Sequence, residues 1–259
     1  MIGEHMHRIL KKIEFETLKL EGSQLCLWLK NDKAEHEDYL SFTPSMLFFV
    51  LGFKDVLSAM QVINPKTDVD NELNTHCQED LDHWKWYLQD LETMGYIPES
   101  WGSRMSDMFH QIWGDESFEV RNLVYTLMHQ VKKYNDPYLS LVIIEYLEAA
   151  FAVFIRHMLI PINDLDIYKK LNYFGKTHVE KEEAHSRGSW VEGHRSVVDN
   201  HSKHEFDEVT LHSANLIIDE LSFQMLQVFN YWYSTRNKFS RFMPQEITKY
   251  LDKEKGQLV

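Results

Sequence analysis

Two short runs of this chain carry the residue types and the spacing needed to hold metal. His76, Asp80 and His83 lie inside NTHCQEDLDHWKWYLQDLETMG, and His178, Glu182 and His185 lie inside LNYFGKTHVEKEEAH. Both runs read His-x3-acid-x2-His. On a helix of 3.6 residues per turn, positions i, i+4 and i+7 share one face. Each run therefore directs two imidazoles and a carboxylate at one spot. Neutral imidazole with carboxylate suits iron, manganese or zinc. Two such faces meeting across a helical bundle suit a pair of metal ions, so the expectation is a metal-dependent enzyme.

The first run has a surplus of donors. His76, Glu79, Asp80 and His83 fall within one broad face. Glu79 precedes His83 by four residues and Asp80 by three, and the latter spacing is that of di-iron carboxylate bundles. The ordinary alternative is a helix cap or an i,i+4 ion-pair network. Cys77 points away from this face and reads as an ordinary helix residue. The second run is polar throughout VEKEEAH, but Tyr173, Phe174 and Ala184 give it an apolar edge that turns part of it inward.

Bridging two metals calls for a further carboxylate. Glu145 and Glu148 stand one turn apart within the apolar VIIEYLEAAF. A buried carboxylate is costly unless it is paired, protonated or metal-bound, which leaves metal ligation or a salt bridge, for instance to Arg156. His201, His204, Glu208 and His212 have the spacing of a separate, auxiliary site. His5 and His7 read as solvent-exposed, and His129 and His157 as structural. No Gly-rich phosphate loop, Ser nucleophile elbow or Cys-His catalytic pairing stands out.

The elements that must position these groups are helices. With 10 Gly and 6 Pro in 259 residues, turn formers are too few for a many-stranded sheet. Amphipathic patterning marks helices over about 5–30, from the apolar MLFFVLGF onward, and over Asp68–Gly95, with Pro98 just beyond. Others follow over SFEVRNLVYTLMHQVKKY, from Pro137 to a stop at Pro161, over about Leu165–His185, and over about His204–Phe239. The fold class is all-α, a bundle of seven or more helices. No linker divides it, so residues 1–259 read as a single domain.

Composition narrows the partners. At 44% hydrophobic and 13% aromatic the chain is globular. A net charge of −13, without a basic stripe, argues against nucleic acid. Two cysteines, Cys26 and Cys77, cannot build a disulfide framework. The segment LSLVIIEYLEAAFAVFIRHMLI is long enough to span a bilayer, but Glu145, Glu148, Arg156 and His157 interrupt it, so it reads as a buried helix. MIGEHMHRILKKIEFE lacks the apolar core of a signal peptide. The expectation is a soluble cytoplasmic protein, engaging neither membrane nor nucleic acid, for which a homodimer is an allowed state.

These residues resemble those of the heme-oxygenase-like di-iron oxidases, which include the bacterial iron-containing redox enzymes. There a carboxylate and a His stand on one core helix, a Glu stands on the next, and His-x3-Asp/Glu-x2-His completes a third. This chain presents HCQEDLDHWKWYLQDLETMG, IIEYLEAAF and YFGKTHVEKEEAH in that order, and His83 to Gly95 also looks like the family's His-to-Gly stretch. The resemblance covers about Asp70 to Trp190. It implies a heme-oxygenase-like bundle, a fold shared with heme oxygenases, thiaminase-II-like enzymes and a cofactorless oxidase of pyrroloquinoline quinone synthesis. It also implies His83 as the first-helix His, with Asp80 as its carboxylate and Glu79 as the alternative. His76 would stand beside the ligands. Glu145 would bridge, with Glu148 second, and His178, Glu182 and His185 would come from the third helix. Asp80 stands where Glu is usual and Glu182 where Asp is common, each altering reach by one methylene.

The implied cofactors are two iron ions, with manganese an alternative in one site, and O2 as co-substrate. The implied activity is a non-heme di-iron oxidase or oxygenase that acts on a small organic substrate, with Glu145 and Glu182 as the catalytic carboxylates. Two rival readings stand beside it: a mononuclear or Mn/Zn-dependent enzyme of the same fold, and a non-catalytic member that binds a small molecule. The chain lacks a heme-ligand context near its N-terminus and a thiaminase-type Cys, and the number of donors favours the di-iron branch.

Overall fold

A computed structural model describes residues 2–30, 39–162, 167–176, 178 and 207–239. Among the described residues every regular element is a helix and there is no strand. The chain is an all-α helical bundle.

The first expected helix is two. α1 (Ile2–Leu18) gives way to a tight turn over Lys19–Gly22, and α2 (Gln24–Leu29) starts again behind Ser23, whose Oγ accepts the Cys26 N–H at 3.2 Å. Ser is a favoured N-cap, so the residue that ends one helix path begins the next. α3 (Leu47–Met60) carries the apolar MLFFVLGF segment into the bundle.

Asp68–Gly95 also divides, into α4 (Asp68–Asp80) and α5 (His83–Thr93). α4 opens on a capping box in which Thr67 and Asp70 satisfy each other's backbone N–H. The division falls where acidic residues crowd together. Glu79 and Asp80 sit at the negative end of α4, where carboxylates are disfavoured, while Asp82 sits at the positive end of α5, where they are favoured. α5 ends on Gly95, at φ 83°. Tyr96 N–H reaches Leu91 O at 2.8 Å and Gly95 N–H reaches Glu92 O at 2.9 Å. This is a Schellman closure, whose left-handed residue is most easily glycine. The stop expected from sequence is therefore present.

α6 (Met105–Trp113) and α7 (Phe118–Tyr134) lead to the central helix, α8 (Pro137–Ile162). Left-handed Asn135 closes α7, Asp136 accepts the Leu139 N–H at 3.0 Å, and Pro137 occupies the first turn of α8. Pro161 lies in the last turn of α8 rather than beyond it. α9 (Glu208–Ser234) starts at Asp207, which accepts the Thr210 N–H at 2.7 Å.

α8 packs against α1, α2, α4, α7 and α9. Two helical spans, Thr43–Met60 and Pro137–Leu159, are long and apolar enough to cross a membrane. The second is 83% buried inside the protein itself, so its apolar surface is already matched by neighbouring helices. Phe42 meets Phe154 edge-on at 5.7 Å, and Phe229 stacks on Trp232 at 5.4 Å. Each such pair adds about 0.5–1.5 kcal/mol to simple burial. Phe154 on α8 also meets Phe229 at 6.2 Å and Trp232 at 6.1 Å on α9, joining the two helices.

The helix expected over Leu165–His185 does not begin at its near end. Tyr168–Lys170 is a tight turn, residues 172–175 bend, and helical backbone is seen at Lys176 and His178. Tyr173 and Phe174, expected as the apolar edge of a helix, instead form a folded turn ahead of His178.

Candidate metal centre

The division between α4 and α5 sets the first donors. His76 and Asp80 lie in the last turns of α4, and His83 is the first residue of α5. His76 and His83 are buried, and the Asp80 side chain is nearly so. Nδ1 of His83 stands 3.5 Å from Oδ1 of Asp80. Nδ1 of His76 stands 3.5 Å from Oε1 of Glu148 on α8. Glu79 is exposed. Of the two acids weighed for this position, Asp80 is the one turned inward.

Asp80, His83, Glu148 and His178 line a common cavity of about 70 Å³. Phe49, Phe53, Ile144, Leu147, Phe151 and Tyr173 supply apolar walls, and exposed Lys54 stands at the edge. That volume holds a few water-sized groups. Glu145, placed first in the sequence reading, is buried one turn from Glu148 but is not part of the cavity lining. Arg156 donates Nε to Ala152 O at 3.0 Å within its own helix, and Glu148 faces His76 of α4.

His178 is held closely. Its Nδ1 lies 2.6 Å from the Tyr173 carbonyl oxygen. A carbonyl can only accept, so Nδ1 carries the proton and the neutral ring keeps its lone pair on Nε2. Metal-ligating histidines are commonly oriented by this same bond. The His178 ring meets His83 edge-on at 4.4 Å and Phe151 at 5.2 Å, and Trp86 stacks on His83 at 4.7 Å. The two imidazoles are thus fixed against each other by aromatic packing.

Sequence reasoning missed Asp90. It is fully buried, and its two oxygens accept the N–H groups of Asn172 at 2.7 Å and Phe174 at 2.9 Å. Burial pushes its carboxyl up to about 6, against the lowering effect of the backbone N–H groups of residues 172–174 and of nearby His178. The signal was available in outline, because His83, Tyr87 and Asp90 stand at i, i+4 and i+7, the same spacing that singled out the metal motifs. Cys77 is buried, and desolvation together with Asp80 pushes its thiol up to about 12.

Carboxylate and imidazole are donors of the kind that iron, manganese or zinc takes. Separations of 3.5 Å are long for a hydrogen bond but match two donors sharing one ion, which with bonds near 2.1 Å stand roughly 3.0–3.5 Å apart. The donors approach in pairs, and among the described residues no three of them gather into a ready-formed metal site. Glu182 and His185 lie outside the described residues, as do His201 and His204. Glu208 and His212, of the auxiliary cluster, are exposed on the first turns of α9. Compared with known proteins, the chain matches no family model and no curated protein.

Proposed function

We propose that the protein is a non-heme di-iron oxidase or oxygenase that uses O2 to oxidise a small organic substrate. The observation that carries this reading is the convergence of Asp80, His83, Glu148 and His178, from three separate stretches of chain, on one apolar-walled cavity. Buried carboxylates and imidazoles are costly to place together without a cation or a proton to compensate them. Four of them around one small cavity make a donor set of the kind that metals take.

When bound, two Fe(II) ions would bind O2 and supply electrons for its reduction, and the organic substrate would give up electrons as it is oxidised. The chain's own residues do the rest. Asp80 with His83 forms one donor pair and Glu148 with His76 the other, while His178 offers Nε2 from a ring whose Nδ1 is engaged at Tyr173. Glu182 and His185 would complete the third-helix donors, and Glu148, which lines the cavity where Glu145 does not, would take the bridging role. Phe49, Phe53 and Phe151 exclude water and leave the cavity suited to an apolar or weakly polar part of a small molecule.

The test is anaerobic titration of the purified protein with Fe(II), followed by exposure to O2. Two equivalents bound, with an O2-dependent absorption transient, are expected. Binding limited to one equivalent, without a transient, points instead to the mononuclear or Mn/Zn-dependent reading. No metal binding at all, with His83→Ala and His178→Ala behaving as wild type in ligand binding, leaves the non-catalytic reading.

A further inference from the structure

We propose that Asp90 is a positioning residue: through the turn at 172–174 it fixes the ring and the tautomer of His178, an inference that rests on the metal reading of that histidine. α5 presents His83, Tyr87 and Asp90 along one face. At one end of this face His83 touches His178; at the other, Asp90 grips the turn that leads to it.

The backbone of the turn alternates its polar groups. The N–H groups of residues 172 and 174 point to Asp90, and the carbonyl of residue 173, between them, points to Nδ1 of His178. Gripping two N–H groups with one carboxylate fixes the orientation of both flanking peptide planes. The Phe174 N–H and the Tyr173 carbonyl belong to one planar trans peptide unit, so holding the N–H toward Asp90 aims the carbonyl the opposite way, toward His178. Because that carbonyl determines which nitrogen of His178 holds the proton, Asp90 determines which nitrogen is left to bind metal.

A second observation is independent of Asp90. The turn is so tight that a Cβ on Gly175 would come within 1.8 Å of the Leu171 carbonyl oxygen. The chain therefore tolerates only glycine at this point without opening the loop. Tyr87 packs edge-on against Tyr173 at 5.5 Å and Phe174 at 6.1 Å, closing the space into which the turn could relax.

A purely structural role for Asp90 predicts lost stability and nothing else. A positioning role predicts a changed histidine. Asp90→Asn keeps the shape but offers one acceptor where two are needed, so one of the two backbone N–H groups loses its bond. The experiment is long-range 1H–15N correlation spectroscopy of the full chain labelled in histidine, without metal, with the His178 signal assigned by its loss in His178→Gln. Wild type is expected to show the single Nδ1–H tautomer, and Asp90→Asn a mixture containing Nε2–H. In a parallel titration with Co(II), the variant should bind 10–100-fold more weakly, as expected when the orienting partner of a ligand is lost. Tyr87→Phe, which removes a different buried bond from the same helix face, should leave both readouts unchanged.

If Asp90→Asn shows His178 still purely Nδ1–H, the proposal is overturned. If wild type binds no Co(II), the metal reading falls, while the tautomer measurement still decides the role of Asp90. Should Asp90→Asn not fold, Gly175→Ala opens the same turn from its other side and must give the same mixed tautomer.

Discussion

Oε1 of Glu148 stands 3.5 Å from Nδ1 of His76, joining α8 to α4 inside the core. Both groups are over nine-tenths buried. The contact links the most apolar helix of the chain to the helix richest in candidate ligands, and of the two neighbouring glutamates Glu148 is the one that lines the cavity.

That pairing should be energetically coupled. Removing one member of a buried pair strands the other, whereas removing both removes the problem. His76→Ala and Glu148→Ala should each destabilise, and the double variant should be more stable than the two losses added together. A coupling energy of about 1–3 kcal/mol is expected from urea unfolding of the metal-free protein. Simple additivity would show that the contact carries no energy of its own.

Much of this arrangement could be read from the chain, and the parts that could not have physical reasons. The all-helical class followed from amphipathic period and scarce turn formers, which are local properties. The division at Leu81–Asp82 did not, because the i, i+4, i+7 pattern of His76, Asp80 and His83 runs across it without interruption. Nor could spacing separate Glu145 from Glu148. They sit one turn apart in the same apolar run, and the rotation of α8 that turns Glu148 into the cavity is set by packing against α4 and α9. Asp90 was hidden for a third reason. Its partners are backbone N–H groups 82 and 84 residues away, and backbone groups leave no mark in a sequence.

The same buried carboxyl makes a prediction about pH. An ordinary aspartate titrates near 4, whereas burial lifts Asp90 to about 6. The native state therefore holds this proton more tightly than the unfolded state. The stabilisation is fully present below about 4 and is lost as pH rises through about 6. A rise from about 4 to about 6 corresponds to about 3 kcal/mol. Other groups titrate in the same range, so the informative quantity is the difference in unfolding free energy between wild type and Asp90→Asn. That difference should grow as pH falls from 7 to 5. A difference that stays flat, or that grows with rising pH, would exclude Asp90 as the titrating group.

The cysteines should be chemically silent in the native protein. Cys26 and Cys77 are both buried and free, and burial raises both thiols, Cys77 to about 12. Since the thiolate is the reactive form, a disulfide reagent at pH 8 should find no rapidly reacting thiol. Two equivalents should react once guanidinium unfolds the chain. Rapid labelling of Cys77 in the folded state would mean that α4 opens readily at the candidate site. Slow labelling, at the rate of global unfolding, would place α4 in the stable core.

The last prediction separates the two acids that precede His83. Asp80 lines the cavity with its oxygen 3.5 Å from His83, whereas Glu79, its immediate neighbour, faces solvent. If metal binds where the donors converge, Asp80→Ala should lower Fe(II) stoichiometry or weaken binding by at least 10-fold, as for loss of a ligand's close partner or more. Glu79→Ala should bind as wild type does, because Glu79 is exposed and does not line the cavity, and charges at the surface are screened by salt. Asp80→Glu adds one methylene to the arm that carries the carboxylate. The longer arm would shift the oxygen relative to His83 within a cavity that has little spare room, so binding should persist at reduced affinity. Equal losses from Asp80→Ala and Glu79→Ala would require α4 to rotate on metal binding, and would move the first donor pair off the face described here.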